Sequence, residues 1–220
     1  MSKKATVVVV DDHAILREGL CRLLEENGTY EVIGQAADGF EAQELAKQLE
    51  PDVILMDMGL PGLNGADTTR KILQRNPAMR IVGLSMHSDP QFVTAMLKAG
   101  AAGYVLKDSA YDELTMALEA IQAGKVYLSP TVAGAVVTDL INETSENGGG
   151  SGLSRLSPRE REVLQLMAEG CSTAEVAEKL HISSKTVETH RKNLMEKLDI
   201  HNIAELTKFA IRHGLTSLDY

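Results

Sequence analysis

Cysteine is scarce in this chain, positive charge is outweighed, and no long apolar run is present. Only Cys21 and Cys171 occur, far apart and each in an apolar helical pattern. Buried reduced thiols are therefore expected, not a disulfide framework. No cysteine–histidine cluster has the spacing of a zinc site. No apolar run approaches the ~20 residues that a membrane span needs. The basic start Met1-Ser2-Lys3-Lys4 leads only to the short stretch Ala5–Val10 and then to Asp11-Asp12, too short for a signal-peptide core. A soluble cytoplasmic chain with no membrane partner is the expectation. Lys and Arg number 22 against 31 Asp and Glu, a net charge of −9. The imbalance falls entirely in residues 1–152, with 12 basic and 21 acidic side chains; residues 153–220 carry 10 of each. That acidity argues against the first part as a nucleic-acid surface. The neutral second part can bind nucleic acid only with its cations gathered on one face. The 44% hydrophobic content is ample for packed cores, and 220 residues suggest two domains.

What is present is an alternation of two textures over roughly the first 124 residues. Short β-rich runs lie at Thr6–Val10, Tyr30–Ala37, Val53–Asp57, Arg80–Ser85 and Gly103–Leu106. Helical periodicity marks Ala14–Glu26, Phe40–Glu50, Gly65–Asn76, Pro90–Ala99 and Tyr111–Ala123. Five strands alternating with five helices imply a doubly wound α/β domain, with a five-stranded parallel sheet covered on both faces. Ser88-Asp89-Pro90-Gln91 combines a cap, a first-turn proline and capping-box spacing, and Ser109 with Asp112 is a weaker helix start.

In a parallel sheet the carboxyl ends of all strands share one edge, where ligands bind. Asp11 and Asp12 end the first strand, Asp57 the third and Ser85 the fourth, and Lys107 follows the fifth. Three carboxylates in one crevice repel each other unless a cation intervenes. Mg²⁺ fits, taking one or two carboxylates, a carbonyl, waters and a phosphate oxygen. Asp57 is then a nucleophile able to accept a phosphoryl group. Lys107 can neutralise that group and Ser85 can donate a hydrogen bond to it. Each residue also has a plainer reading: Asp11 or Asp12 as a helix cap, Asp57 as a turn former, Ser85 as an idle hydroxyl, Lys107 as a solvated lysine. Their joint placement at four strand ends favours the chemical reading.

Asp11-Asp12, Met56-Asp57 with Leu60-Pro61-Gly62, Ser85 and Lys107 together resemble the receiver domain of two-component response regulators, over about 120 residues. The resemblance implies a flavodoxin-like fold and a sensor histidine kinase as partner, with Asp57 as the phosphoacceptor. It implies Mg²⁺ on Asp12, Asp57 and the backbone carbonyl of Gly59, with Asp11 acting at least partly through water. Ser85 would turn toward the phosphoryl group and Tyr104 would rotate inward behind it; an ordinary half-buried strand aromatic is the alternative for Tyr104. Two positions depart from a common receiver pattern. Asp108 stands where proline often follows the lysine, which makes a cis peptide there less expected. Met86 is large for the site beside Ser85 and narrows access to Asp57. Gly59 and His87 occupy loop positions that tune acyl-phosphate lifetime in receivers.

Residues 125–154 read as a linker: an apolar segment after Ser129-Pro130 with a short helix, then a Gly/Ser/Asn-rich tether over Asn142–Ser154. About 13 tether residues give an r.m.s. reach near 20 Å. Residues 155–220 are all-helical in pattern. Ser157-Pro158-Arg159-Glu160 and Ser172-Thr173-Ala174-Glu175 are capping boxes, Gly170 ends the first helix, and Asn202 with Glu205 starts the last. The break His181-Ile182-Ser183 between two helices has helix-turn-helix spacing. On the helix after it, Val187, His190, Leu194 and Leu198 form a buried stripe, with His190 as a core histidine. Lys185, Glu188, Thr189, Lys192 and Glu196 fall opposite and offer groups to base edges, while Arg191 and Lys197 suit phosphates. The plainer reading is a solvated face with a Glu188–Lys192 pair.

Leu156-Ser157-Pro158-Arg159-Glu160-Arg161-Glu162-Val163-Leu164, Glu175-Val176-Ala177 and Thr186-Val187-Glu188-Thr189-His190 resemble the LuxR/FixJ-type helix-turn-helix output domain, over about 60 residues. That resemblance implies double-stranded DNA as ligand, a homodimer through the last helix when active, and RNA polymerase as a further partner. The expectation is a phosphorylation-dependent DNA-binding transcriptional regulator, not an enzyme apart from self-phosphorylation and self-dephosphorylation at Asp57. A phosphohydrolase would typically place a second carboxylate two residues after Asp57, where Gly59 stands. A receiver with a protein-binding helical output remains the other reading.

Overall fold

A computed structural model describes residues 4–26, 28–86, 90–108, 111–134, 136 and 152–216. The chain divides into two compact units, with the main boundary after Ile141.

The first unit runs β1 (Ala5–Val10), α1 (Ala14–Glu26), β2 (Tyr30–Ala36), α2 (Gly39–Leu49), β3 (Val53–Asp57), α3 (Gly65–Arg75), β4 (Arg80–Ser85), α4 (Pro90–Lys98), β5 (Gly103–Leu106), α5 (Tyr111–Gln122) and β6 (Tyr127–Leu128). All strands are parallel, in the order β2-β1-β3-β4-β5-β6. Unbroken apolar runs such as Val7–Val10 follow from burial on both faces. Val8, Val10, Ile54 and Met56 face a core closed by α2, α3 and α4 through Ala42, Ala46, Ile72, Val93 and Met96. Val7, Val9, Val53 and Leu55 face the opposite core, closed by α1 and α5 through Cys21, Leu24, Leu118 and Ile121.

The sheet has six strands where the sequence reading has five. The sixth is only Tyr127–Leu128, paired with Gly103 and Tyr104. Two residues cannot show an alternating pattern, and its partner is set by tertiary placement: Ser129 N–H donates to the Tyr104 carbonyl at 3.0 Å. Residues 130–134 after it are helical, as expected. Ser88, Asp89 and Ser109, expected to open helices, lie outside the described residues, as does His87 and the tether up to Ser151. Gly152–Arg155, partly assigned to the tether, forms a 3₁₀ turn.

The second unit holds α6 (Pro158–Ala168), α7 (Thr173–Lys179), α8 (Ser184–Leu198) and α9 (Ile203–Arg212). Both expected capping boxes form, Ser157 with Glu160 and Ser172 with Glu175, and Asn202 caps α9 by accepting from Glu205 N–H. Gly170 takes φ +86° after α6, a left-handed conformation suited to glycine. Between α7 and α8 the turn is made by His181 at φ 52°, with Ile182 N–H donating to the Ala177 carbonyl at 3.0 Å. Leu164, Val176, Val187, Leu194 and Leu206 pack as one core. Both cysteines are free thiols; Cys21 is buried and Cys171 half-buried. Among the described residues no helix is long and apolar enough to cross a membrane.

One glycine fixes the end of β3. At Gly65, the first residue of α3, an added Cβ would stand 2.1 Å from the Asp57 carbonyl oxygen. Gly65→Ala is therefore expected to destabilise the first unit by about 1–3 kcal/mol, as overpacking does. Urea denaturation followed by circular dichroism measures it.

Candidate functional site

The strand order reverses between β1 and β3, so the crevice at the carboxyl end of the sheet opens between their ends. Val10 pairs with Met56, which sets the next residues, Asp11 and Asp57, side by side. Asp57 pairs with Leu84, and Met58 N–H donates to the Leu84 carbonyl at 2.9 Å. Ser85 pairs with Leu106, and its carbonyl accepts from Lys107 N–H at 2.8 Å. Three registers thus deliver Asp11, Asp57 and Lys107 to one notch and set Ser85 at the adjacent strand end.

The charged contacts there are short and dry. Lys107 Nζ lies 2.8 Å from Asp11 Oδ2 and 2.8 Å from Asp57 Oδ2. Asp57 is 3% exposed and Asp11 0%. Gly59 N–H donates to Asp57 Oδ1 at 3.2 Å, and His13 N–H to Asp11 Oδ1 at 2.9 Å. Asp12 sits at the rim, its Oδ1 2.8 Å from His13 Nδ1. Burial raises the affinity of Asp57 for a proton above that of an ordinary carboxylate; Lys107 opposes this, and Asp11 reinforces it. Burial works to lower the Lys107 value, but Asp57 and Asp11 outweigh it and hold the ammonium above its ordinary range.

The donor chemistry suits a metal ion. Asp11, Asp12, His13 and Asp57 each offer a ligand atom, all within 4.8 Å of one another. Gly59 meets Asp57 through its N–H, and an added Cβ would stand 3.9 Å from Oδ2. Ser85 is buried at 3% exposure. Tyr104 is not half-buried: at 0% exposure its ring lies in the core, where a Cβ on Gly83 would stand 3.0 Å from Cδ2 and 2.9 Å from Met96 Cγ. Glycine at position 83 makes the room for that ring. Met86 is 65% exposed beside the notch. With His13, Ile15, Leu16, Leu106 and Leu114 it lines a largely apolar cavity of about 510 Å³. Among the described residues no peptide bond is cis, Lys107–Asp108 included. His13 went unassigned in the sequence reading, although it directly follows the aspartate pair.

On α8 the predicted faces appear. Val187 and Leu194 are buried, His190 and Leu198 half-buried, and Lys185, Glu188, Thr189, Arg191 and Lys192 exposed. Thr189 Oγ1 donates to the Lys185 carbonyl at 3.0 Å. Lys192 faces Glu196 at 3.8 Å, an exposed pair of the kind that contributes little. The i,i+4 partner on this face is therefore Glu196, where the sequence reading had Glu188. Lys197, expected on phosphate, instead donates to Glu160 at 2.9 and 2.7 Å. Glu160 is 3% exposed and also accepts from Ser157 N–H at 2.7 Å, so Lys197 fastens the end of α8 to the start of α6.

Two family models match this chain: the response regulator receiver domain over residues 7–119, and the bacterial regulatory proteins of the luxR family over residues 154–210. The transcriptional regulatory protein DegU of Brevibacillus brevis is 36% identical across 96% of this chain and 94% of its own length. RcsB from Salmonella enterica serovar Typhimurium, solved bound to promoter P1flhDC with the phosphomimetic BeF3-, covers 97% of this chain and 100% of that one, with a TM-score of 0.60 and 30% identity. A structure of two RcsB dimers bound to two parallel DNAs covers 94% of this chain and 98% of that one, with a TM-score of 0.58 and 29% identity. The chain belongs to the LuxR-family response regulators. It is a two-component transcriptional regulator, with a DNA-binding helix-turn-helix output governed by its receiver, and not a classical enzyme.

The raised proton affinity of Asp57 carries a stability consequence. A carboxylate whose folded value exceeds its unfolded one adds stability below the unfolded value and loses it as pH rises through the folded one. At neutral pH the ionised Asp57 is therefore a liability that an amide of the same shape removes. Asp57→Asn is expected to raise the melting temperature of the metal-free protein by a few degrees at pH 7. The gain should shrink as pH falls toward the ordinary carboxylate range, measured by calorimetry downward from pH 7 in chelator.

Proposed function

We propose that Asp57 accepts a phosphoryl group from a sensor histidine kinase and that the modified receiver licenses its output domain to bind operator DNA. The observation that carries this reading is Lys107 Nζ set 2.8 Å from both Asp11 and Asp57, all three side chains nearly buried at the foot of an open notch. Asp57 attacks the donor phosphorus, forming an acyl phosphate while the donor histidine leaves. Lys107 then balances a dianionic group in place of a monoanionic carboxylate. Asp12, Asp57 and the Gly59 carbonyl would hold Mg²⁺, with Asp11 acting partly through water; the chemistry such an ion would supply is screening of the carboxylates and offset of charge on the transferring oxygens. Ser85 donates to the phosphoryl oxygens, and the buried Tyr104 ring transmits the shift. Ile15, exposed at 91%, and Met86 form an apolar collar beside the notch, suited to a protein donor.

The output acts through α8. Lys185, Glu188, Thr189 and Lys192 face base edges in the major groove, while Arg191 meets phosphates. Glu188 favours a cytosine amino group. Lys197, engaged with Glu160, sets the pose of the helix. Homodimerisation spaces two such helices about 34 Å apart on a two-fold site. Without it a neutral domain gains little from counterion release. The dimers on DNA formed by the relative RcsB support this arrangement. The domains are a receiver at 1–124, a linker at 125–154 and a DNA-binding domain at 155–220. The protein works in the cytoplasm, with RNA polymerase as its downstream partner.

The test treats the full chain with Mg²⁺ and a small acyl phosphate, beside Asp57→Asn. Expected are one phosphoryl group per wild-type chain by intact mass, none on the variant, and at least tenfold tighter retention of genomic DNA fragments by the treated wild type alone. Incorporation without Asp57, or DNA binding indifferent to it, removes the switch.

A further inference from the structure

His13 is the one member of the acidic notch's donor set that is not an oxygen. Its Nδ1 stands 2.8 Å from Asp12 Oδ1 and 3.4 Å from Asp11 Oδ1. The His13 backbone beneath the ring is fixed, its N–H donating to Asp11 Oδ1 at 2.9 Å. Donor atoms bound to one zinc ion at about 2.0–2.2 Å in a tetrahedron stand roughly 3.3–3.6 Å apart. The His13–Asp11 spacing matches that edge, while the His13–Asp12 contact is a hydrogen-bond distance that must open by about half an ångström to reach it. One atom each from Asp11, Asp12, His13 and Asp57 lies within 4.8 Å of the others. Small turns of the side chains can close that spread, and the His13 side chain is 70% exposed and so free to make one.

A magnesium ion has little use for an imidazole, whereas zinc and its neighbours in the first transition row prefer one. We infer that His13 makes this notch a second kind of metal site: a zinc-range divalent ion is bound by His13 with Asp11, Asp12 and Asp57, in competition with Mg²⁺, and holds the receiver unreactive. The inference rests on the proposed Mg²⁺ site, whose carboxylates it shares. Four protein ligands close a tetrahedral site, while phosphoryl transfer requires a position left open for a phosphate oxygen. Asp57, as a ligand in the closed set, is withdrawn from attack. The same ion at the same notch would thus read transition-metal supply as a brake on signalling.

Zinc and magnesium titrations of the full chain by calorimetry, for wild type, His13→Ala and Asp12→Asn, test this. Nitrogen-15 resonances of the histidine side chains are followed in parallel. His13 is exposed and outside the cores, so the fold survives its loss. Expected is a zinc-induced shift of the His13 Nδ1 resonance that excess Mg²⁺ reverses, and a loss of zinc affinity of about 10–100-fold in His13→Ala with magnesium affinity unchanged. Asp12→Asn weakens both metals. An unmoved His13 resonance, or equal losses for both metals in His13→Ala, overturns the inference while leaving the magnesium site standing. Zinc binding that needs His13 in a chain that binds no magnesium overturns the magnesium reading and, with it, the competition inferred here.

Discussion

A single ammonium group shared by two buried carboxylates is the contact on which the receiver's chemistry depends. Lys107 Nζ touches Asp11 and Asp57 at equal distance in a place that excludes water. Burying charge is costly unless it is paired and hydrogen-bonded. Here each carboxylate has a second oxygen served by a backbone N–H, from His13 and from Gly59. With Asp12 at the rim, three carboxylates face one ammonium, and the arrangement remains two positive charges short. That deficit suits the notch to a divalent cation, and burial, reinforced by Asp11, keeps Asp57 easier to protonate than a surface aspartate.

The fold makes this contact by placement alone. β1, β3, β4 and β5 lie next to one another with fixed registers, so residues far apart in the chain arrive at one edge. Gly65 lets α3 begin against the Asp57 carbonyl, and Gly83 opens room for the Tyr104 ring under the same edge. Small residues thus stand where the site and its support must come close. In the output unit the equivalent economy is Glu160, which closes a capping box and receives Lys197 from α8.

Much of this was legible in the order of residues. The valine run of β1 and the Val53–Asp57 run could only be strands covered on both faces, and the carboxylates at their ends then had to meet. Capping boxes at Ser157 and Ser172 marked their helices because the signal is local. Features set by tertiary partners were not legible. β6 has two residues and gains its place from β5. Lys197 reads as a free cation until α6 is folded beside it. Tyr104 looks like any edge aromatic until Gly83 and Met96 are seen to surround it. His13 was hidden because its role comes from a backbone turn on Asp11, which spacing alone does not express.

The central claim is that the Lys107 ammonium keeps the buried Asp57 ionised and ready. Carbon-13 NMR of the Asp57 side-chain carboxyl, titrated with acid in the metal-free wild type and in Lys107→Met, tests it most directly. The account predicts that the Asp57 midpoint moves to higher pH when the ammonium is replaced by an apolar chain of similar length. A midpoint that stays in place, or falls, would contradict it.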